Sequence, residues 1–297
     1  MPLIPLEDTF ADVINKAQRG YGISDEELSS RAAIPLSALA SLKSGKADIA
    51  DLRRVARHLQ LDPDALEKLA LNLVYPRAPH IPRGFAMFNT RDDDMMVNNY
   101  LVWDAKSREA AIIDTGTEPG DLLDLIAAEH LRVKFILLTH THSDHIAALA
   151  PIATSTGASV WASEREPVDY PGARTFSENA YFHLGNLAIK ALSTWGHSPG
   201  LTTFYVQGLS YPLALCGDAL FSCSIGGSPT HFREQVKNTQ ARIFSLPKDS
   251  LIGPGHGPLT SLAFERINNP FFARPAAKPT ADTNDTPKPP KPAPKTR

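Results

Sequence analysis

The stretch from Phe135 to His145 constrains this chain more than any other. Phe135-Ile136-Leu137-Leu138 is a short, wholly apolar run of the kind that fits a strand buried inside a sheet. Thr139-His140-Thr141-His142-Ser143-Asp144-His145 follows at once. Residues two apart on an extended segment point to the same side, so His140 and His142 can converge on one ion. Asp144 and His145 are adjacent, and a turn into the helical stretch Ile146-Ala147-Ala148-Leu149 lets them reach a second ion nearby. Polar groups at the end of a buried strand are held on a rigid support, which is where a metal site belongs. Neutral imidazoles and a carboxylate suit zinc, iron or manganese.

Three later segments repeat the device of a ligand delivered after an apolar run. Thr194-Trp195-Gly196-His197 follows the strand-like Leu187 to Leu192, Cys216-Gly217-Asp218 follows Leu213-Ala214-Leu215, and Gly253-Pro254-Gly255-His256 follows Leu251-Ile252. Further strand candidates are 98–103 and 110–113, the second ending in Asp114-Thr115-Gly116, with a helix over 119–128. Strands alternating with helices imply a layered α/β architecture. A His-x-His-x-Asp-His run followed by His, Asp and His in this order resembles the metallo-β-lactamase-fold hydrolases, over residues 84–272. The resemblance implies an α+β four-layer αββα sandwich in which His140, His142 and His197 hold one divalent ion and Asp144, His145 and His256 hold a second. Asp218 would bridge the two, Asp144 and Asp218 would take part in catalysis, and Asp114 would support the ligand loops from behind. Zinc leads as the metal, with iron or manganese as alternatives. A hydroxide shared by the two ions would then attack a carbonyl or phosphoryl centre.

Within that family the segment Gly217-Asp218-Ala219-Leu220-Phe221, the loop Gly253-Pro254-Gly255-His256-Gly257-Pro258 and the ending Glu265-Arg266-Ile267-Asn268-Asn269-Pro270 resemble the glyoxalase II group of thioesterases, whose substrates are hydroxyacylglutathiones. β-Lactamases commonly carry cysteine where Asp218 stands. The nucleases need a large extra domain before the last histidine, and the 38 residues from Asp218 to His256 leave no room for it. Three departures bear on the substrate. Ser224-Ile225-Gly226-Gly227-Ser228-Pro229-Thr230-His231 stands in place of the family's glutathione-contacting Lys/Arg and Tyr segment, the long helical C-terminal domain of larger members is missing, and Gly200-Leu201 lacks a further histidine. Mononuclear iron persulfide dioxygenases share the fold and several of these segments, but they do not need the histidine at 256. They are one alternative, and a DNA-binding regulator with a metal-site sensor domain is another.

The regulator alternative rests on the first 73 residues, which read as a small all-α helical domain. Ser24-Asp25-Glu26-Glu27 has the capping-box pattern, Leu36, Leu39 and Leu42 recur at helical spacing, Leu52, Val55, Ala56 and Leu59 form a buried stripe, and Asp62-Pro63 opens a last helix. Residues 27–39 resemble the helix-turn-helix of the Cro/repressor-like family, which implies DNA contacts from Ser37, Lys43 and Lys46. The third helix has no Arg, Asn or Gln to pair with base edges, and residues 1–74 carry nine Lys/Arg against eleven Asp/Glu, so direct reading of DNA is poor and a packing or oligomerisation role competes with it. A proline-bearing linker follows over 74–83, and 273–297 reads as a disordered Pro/Lys-rich tail. The two cysteines, Cys216 and Cys223, lie in apolar surroundings in a chain without an export signal, so reduced core thiols, a cytoplasmic location and no membrane span are expected.

Overall fold

The computed structural model describes residues 3–77 and 80–273. The tail expected over 273–297 lies outside the described residues except for Ala273. Five helices come first: α1 (Phe10–Tyr21), α2 (Asp25–Ala32), α3 (Leu36–Lys43), α4 (Ile49–His58) and α5 (Pro63–Ala70). The first sheet and its helices follow as β1 (Phe85–Asp92), β2 (Met95–Trp103), β3 (Glu109–Ile113), α6 (Gly120–Ala128), β4 (Arg132–Leu137), α7 (Ser143–Ile146), α8 (Leu149–Thr156), β5 (Ser159–Ser163) and β6 (Arg174–Phe176). The second sheet comprises β7 (Tyr181–Leu184), β8 (Leu187–Ser193), β9 (Thr202–Gln207), β10 (Leu213–Gly217), β11 (Leu251–Pro254) and β12 (Thr260–Ser261), with α9 (Phe232–Arg242) before β11 and α10 (Leu262–Asn268) after β12. No helix among the described residues is long and apolar enough to cross a membrane.

Both sheets have six strands, ordered β1 to β6 and β12 to β7. Their pairing is mixed: β3, β4, β5 and β6 run parallel to one another, as do β10 and β11, and the remaining pairs are antiparallel. The period of two along each strand distributes side chains between two cores. Tyr100, Val102, Ala111 and Ile113 point into the space between the sheets, where Leu213, Leu215, Phe204 and Ile189 meet them. Leu101, Trp103, Ala110 and Ile112 point the other way, onto Leu122 of α6 and Leu149 and Ile152 of α8. This is the four-layer αββα sandwich of the metallo-β-lactamase fold.

The outer face of the second sheet has a larger cover than its own helices. Ala214 and Cys216 of β10 and Ile252 of β11 share one continuous core with Phe232 of α9 and Leu262 of α10, and also with Val13, Ile14, Leu28, Leu39, Leu52, Val55 and Leu66 of the five N-terminal helices. The helical segment is therefore packed into the sandwich. Both cysteines are free thiols and fully buried.

Local signals account for several helix ends. Asp62 caps α5 by accepting from the amides of Asp64 and Ala65, with Pro63 at the first helical position. At α2 the capping box is only half made: Ser24 accepts from the Glu27 amide, but the Glu27 carboxylate turns to Arg31. The complete reciprocal box is at α1, between Thr9 and Asp12. Leu52, Val55, Ala56 and Leu59 are all fully buried, as their spacing predicts, whereas Leu36 is 50% exposed because it opens α3 on the side away from the core.

Candidate metal centre

The site lies where the ends of strands from both sheets meet. Asp114 follows β3 and takes a left-handed backbone, φ 56°, a conformation that aspartate tolerates better than most residues. From there its carboxylate accepts from the Thr139 amide and the Thr139 hydroxyl, both at 2.7 Å, and from His145 Nδ1 at 2.9 Å. These bonds fix the chain just after β4, so that the histidine run leaves the strand in one direction. The short helix α7 then turns Asp144 and His145 inward, held by the Thr115 amide donating to the His145 carbonyl at 2.8 Å.

The donor atoms form two overlapping groups. His140, His142 and His197 make one, Asp144, His145 and His256 make another, and Asp218 lies between them. In the first group, His142 Nδ1 is 3.1 Å from both His140 Nε2 and His197 Nε2. In the second, Asp144 Oδ2 is 3.4 Å from His145 Nε2 and 3.3 Å from His256 Nε2. Asp218 presents one oxygen to each side: Oδ2 is 3.3 Å from His197 Nε2, and Oδ1 is 3.4 Å from His145 Nε2 and 3.7 Å from His256 Nε2. Tetrahedral ligands about 2.0–2.1 Å from a small cation stand roughly 3.3–3.4 Å from one another. The spacings match that edge closely. His145 Nε2 and Asp218 Oδ1 are buried without any hydrogen-bond partner, a costly arrangement for two polar atoms unless a cation lies between them.

Ring orientation follows from the outer partners. His197 Nδ1 is 2.6 Å from the Gly227 carbonyl and His256 Nδ1 is 2.8 Å from the Met96 carbonyl. A carbonyl can only accept, so each Nδ1 carries the proton and each Nε2 keeps its lone pair for the centre. The Thr139 hydroxyl spends its hydrogen on Asp114, so at 3.0 Å it accepts from His140 Nδ1, and His140 Nε2 is left in the same state. His142 is the exception, with Nδ1 facing inward.

Electrostatics divide the cluster. Burial pushes His140 well below the usual histidine range and lowers His197. For His145 burial also opposes the charged ring, but the Asp114 and Asp218 carboxylates outweigh it and hold the group well above its ordinary value. In His256 burial is likewise outweighed, by Asp218 and Asp144 above all, and the group is raised to about 9. Burial disfavours the Asp218 carboxylate, yet His256, His197 and His145 keep it well below the carboxylate range. The buried carboxylates thus favour positive charge among these donors, and a bound cation would supply it.

All seven residues that the sequence nominates as ligands are thus brought together, with Asp114 directly behind His145. The other three nominated residues are elsewhere, in the helical segment. Ser37 and Lys46 are exposed, and the Lys43 ammonium is paired with Asp25 at 2.6 Å.

Sequence reasoning misses the residues that hold the His256 loop. Asn98 of β2 donates its side-chain amide to the Pro254 and Gly257 carbonyls at 3.0 and 2.8 Å, and the Tyr100 hydroxyl donates to Pro254 at 2.6 Å. Two adjacent asparagines, Asn98 and Asn99, inside an otherwise apolar strand were the available signal, since a buried amide must find partners.

A model of the metallo-beta-lactamase superfamily matches residues 92–256 of the sequence. The chain belongs to this superfamily. Its match spans the whole run from the end of β1 to His256, including every donor described above. Among relatives, the chain is 27% identical over 198 residues to the hydroxyacylglutathione hydrolase GloC of Haemophilus influenzae, an alignment covering 59% of this chain and 92% of the relative. Among solved structures, ETHE1 from Myxococcus xanthus is similar at 26% identity and a TM-score of 0.55, over 63% of this chain and 84% of that one. TTHA1623 in a di-iron-bound form is similar at 28% identity and a TM-score of 0.51, over 62% and 99%.

Proposed function

We propose that this superfamily member is a dinuclear metallo-hydrolase of thioesters, with hydroxyacylglutathiones as the leading substrate class. The single observation that carries the dinuclear part is Asp218, which aims one carboxylate oxygen at each of two donor groups whose spacing suits a small cation. In this reading His140, His142 and His197 hold the first ion, Asp144, His145 and His256 hold the second, Asp218 spans them and Asp114 fixes the ring of His145. Two divalent ions, zinc foremost, would supply Lewis acidity toward a carbonyl and bring a water's pKa close to neutrality.

The chain's own residues divide the remaining work. His142 is exposed and His197 is half-buried, whereas Asp144, His145 and His256 are buried, so substrate reaches the centre from the first group's side. Asp144 and Asp218 keep the charge balance of the second group and are the carboxylates closest to any proton released there. Gly227, through its carbonyl on His197, ties the segment that departs from the glutathione-contacting pattern directly to the first group. The thioester assignment is supported by the likeness to a hydroxyacylglutathione hydrolase of which nearly the whole length is matched, so a long C-terminal domain is no requirement for that named activity.

The same reading divides the chain into a helical segment at 1–73, a linker at 74–83, the hydrolase at 84–272 and a tail at 273–297. It gives the helical segment a packing role: its helices share their core with the second sheet, and the lysine of its third helix is spent on Asp25. Elemental analysis of the purified protein with an S-D-lactoylglutathione hydrolysis assay tests the proposal. Two equivalents of metal with thioester turnover are expected. One iron with oxygen consumption on a glutathione persulfide would replace it with the dioxygenase reading, and salt-sensitive binding to genomic DNA fragments without turnover would replace it with the regulator.

A further inference from the structure

Asp114 braces His145 of the second donor group with one hydrogen bond and holds Thr139, at the start of the histidine run, with two more. The first group has a brace of a different origin, in the turn Ser163-Glu164-Arg165-Glu166 at the end of β5. Glu166 is partly buried. Its Oε1 accepts from the Thr141 amide and the Thr141 hydroxyl, both at 2.9 Å, and its Oε2 accepts from the Ser198 hydroxyl at 2.5 Å and the Gly200 amide at 2.8 Å. Thr141 separates His140 from His142, and Ser198 follows His197. One carboxylate therefore joins the two loops that carry all three nitrogens of the first group, and its roughly four acceptor sites are filled.

The close fit is built into the neighbouring residues. A Cβ at Gly200 would stand 2.4 Å from Glu166 Cβ and 2.9 Å from Ser163 Cβ, so only glycine lets the turn approach the loop. Beside it, the Arg165 guanidinium lies over the Trp195 ring, 4.7 Å from its centroid, and so grips the His197 loop from a second direction. Burial works against the Glu166 carboxylate, but its bonds to Ser198, Thr141 and Gly200 hold it below the ordinary range, and it is an ionised acceptor throughout the neutral region.

We infer that Glu166 is a positioning residue: it sets the spacing of the His140, His142 and His197 loops and thereby governs occupancy of the first metal position without acting on the second. The inference rests on the dinuclear reading above. Outer partners of metal ligands typically change affinity about 10–100-fold when removed. The test is calorimetric titration of the metal-stripped full chain with Zn(II), with Co(II) absorbance reporting the ligand field. Wild type is expected to show two binding events. Glu166→Ala should retain one at the wild-type affinity and weaken the other about 10–100-fold, with the matching Co(II) bands shifted. Asp114→Asn, which touches His145 directly and His140 through Thr139, should by contrast weaken both events. Glu166→Gln keeps the side chain's shape and one acceptor oxygen, so it should weaken the same event as Glu166→Ala by less, and it serves if the alanine variant does not fold. Unchanged affinities in both Glu166 variants, or equal weakening of both events in either, overturn the inference. Fewer than two events in the wild type overturn the dinuclear reading itself, and the inference with it.

Discussion

Replacing Glu265 by glutamine should make the protein more stable than wild type above neutral pH, and the gain can be worked out from the site. Glu265 is fully buried in α10. Its Oε2 accepts from the Cys223 amide at 3.0 Å and from Asn269 Nδ2 at 2.9 Å, and its Oε1 lies 2.6 Å from the Thr260 hydroxyl. Burial raises its pKa to about 7 from the ordinary 4.5, because the bonds from Thr260, Asn269 and Cys223 only partly offset desolvation. Below 4.5 folded and unfolded chains both carry the proton. Between 4.5 and 7 the unfolded chain releases it while the folded chain keeps it, so stability falls as pH rises and the full loss is in place above 7. That interval corresponds to about 3 kcal/mol. Glutamine can accept from Cys223 and Asn269 through its oxygen and donate to the Thr260 hydroxyl, as the protonated acid does, and it has no charge to bury. Urea midpoints of the metal-loaded wild type and Glu265→Gln, measured from pH 4.5 to 8.5, should diverge in favour of the variant by about 3 kcal/mol. A difference that stays constant across that range would refute the buried, proton-holding carboxyl.

Three further outcomes follow. In Gly226→Ala the new Cβ would stand 2.3 Å from the Asp218 carbonyl oxygen and 2.9 Å from His197 Nδ1; elemental analysis should show metal lost, and turnover should fall with it. Ile14→Ala removes a fully buried side chain from the core shared by helices and sandwich and should cost about 2–5 kcal/mol; calorimetry should show one shifted transition, and two separate transitions would contradict the shared core. Burial pushes the Cys216 thiol up, leaving it no thiolate to react near neutral pH, so Cys216→Ala should keep full turnover.

The donor set was legible because each donor loop follows a short apolar run, and the sandwich was legible through the family resemblance that the donors carry. Asp114 was legible as a strand-end residue. The braces were not. Glu166 sits in a turn with three charged residues in succession, a pattern that reads as solvated surface, and nothing local shows that Thr141 and Ser198 come to meet it. Asn98 and Tyr100 act across more than 150 positions of sequence, on a loop of the other sheet. Hydrophobic periodicity encodes which face a residue takes, and these partners depend on which strand ends the topology places side by side. The capping pattern at Ser24 shows the same limit on a small scale: Arg31, one turn onward, competes for the Glu27 carboxylate that the box requires.

The helical segment and the altered stretch after Asp218 stood as separate oddities in the sequence, and the packing joins them. Ser224 donates its hydroxyl to Asp8 at 2.5 Å, and Lys16 of α1 reaches both Asp8, at 2.5 Å, and the Ile225 carbonyl, at 2.9 Å. Lys16 also lies 5.0 Å from the centroid of the Phe221 ring, whose edge meets His256. A Lys/Arg and Tyr stretch made for an anionic substrate would place long polar side chains in this space, where Ile225 is fully buried and Ser224 nearly so. Small and apolar residues at 224–227 let α1 close over the strand end, and the stretch then reaches the metal centre by its backbone, through the Gly227 carbonyl on His197. The leucines of the helix-turn-helix-like pattern, Leu28, Leu39 and Leu42, are buried in the core shared with the sandwich, as a compact helical cover requires.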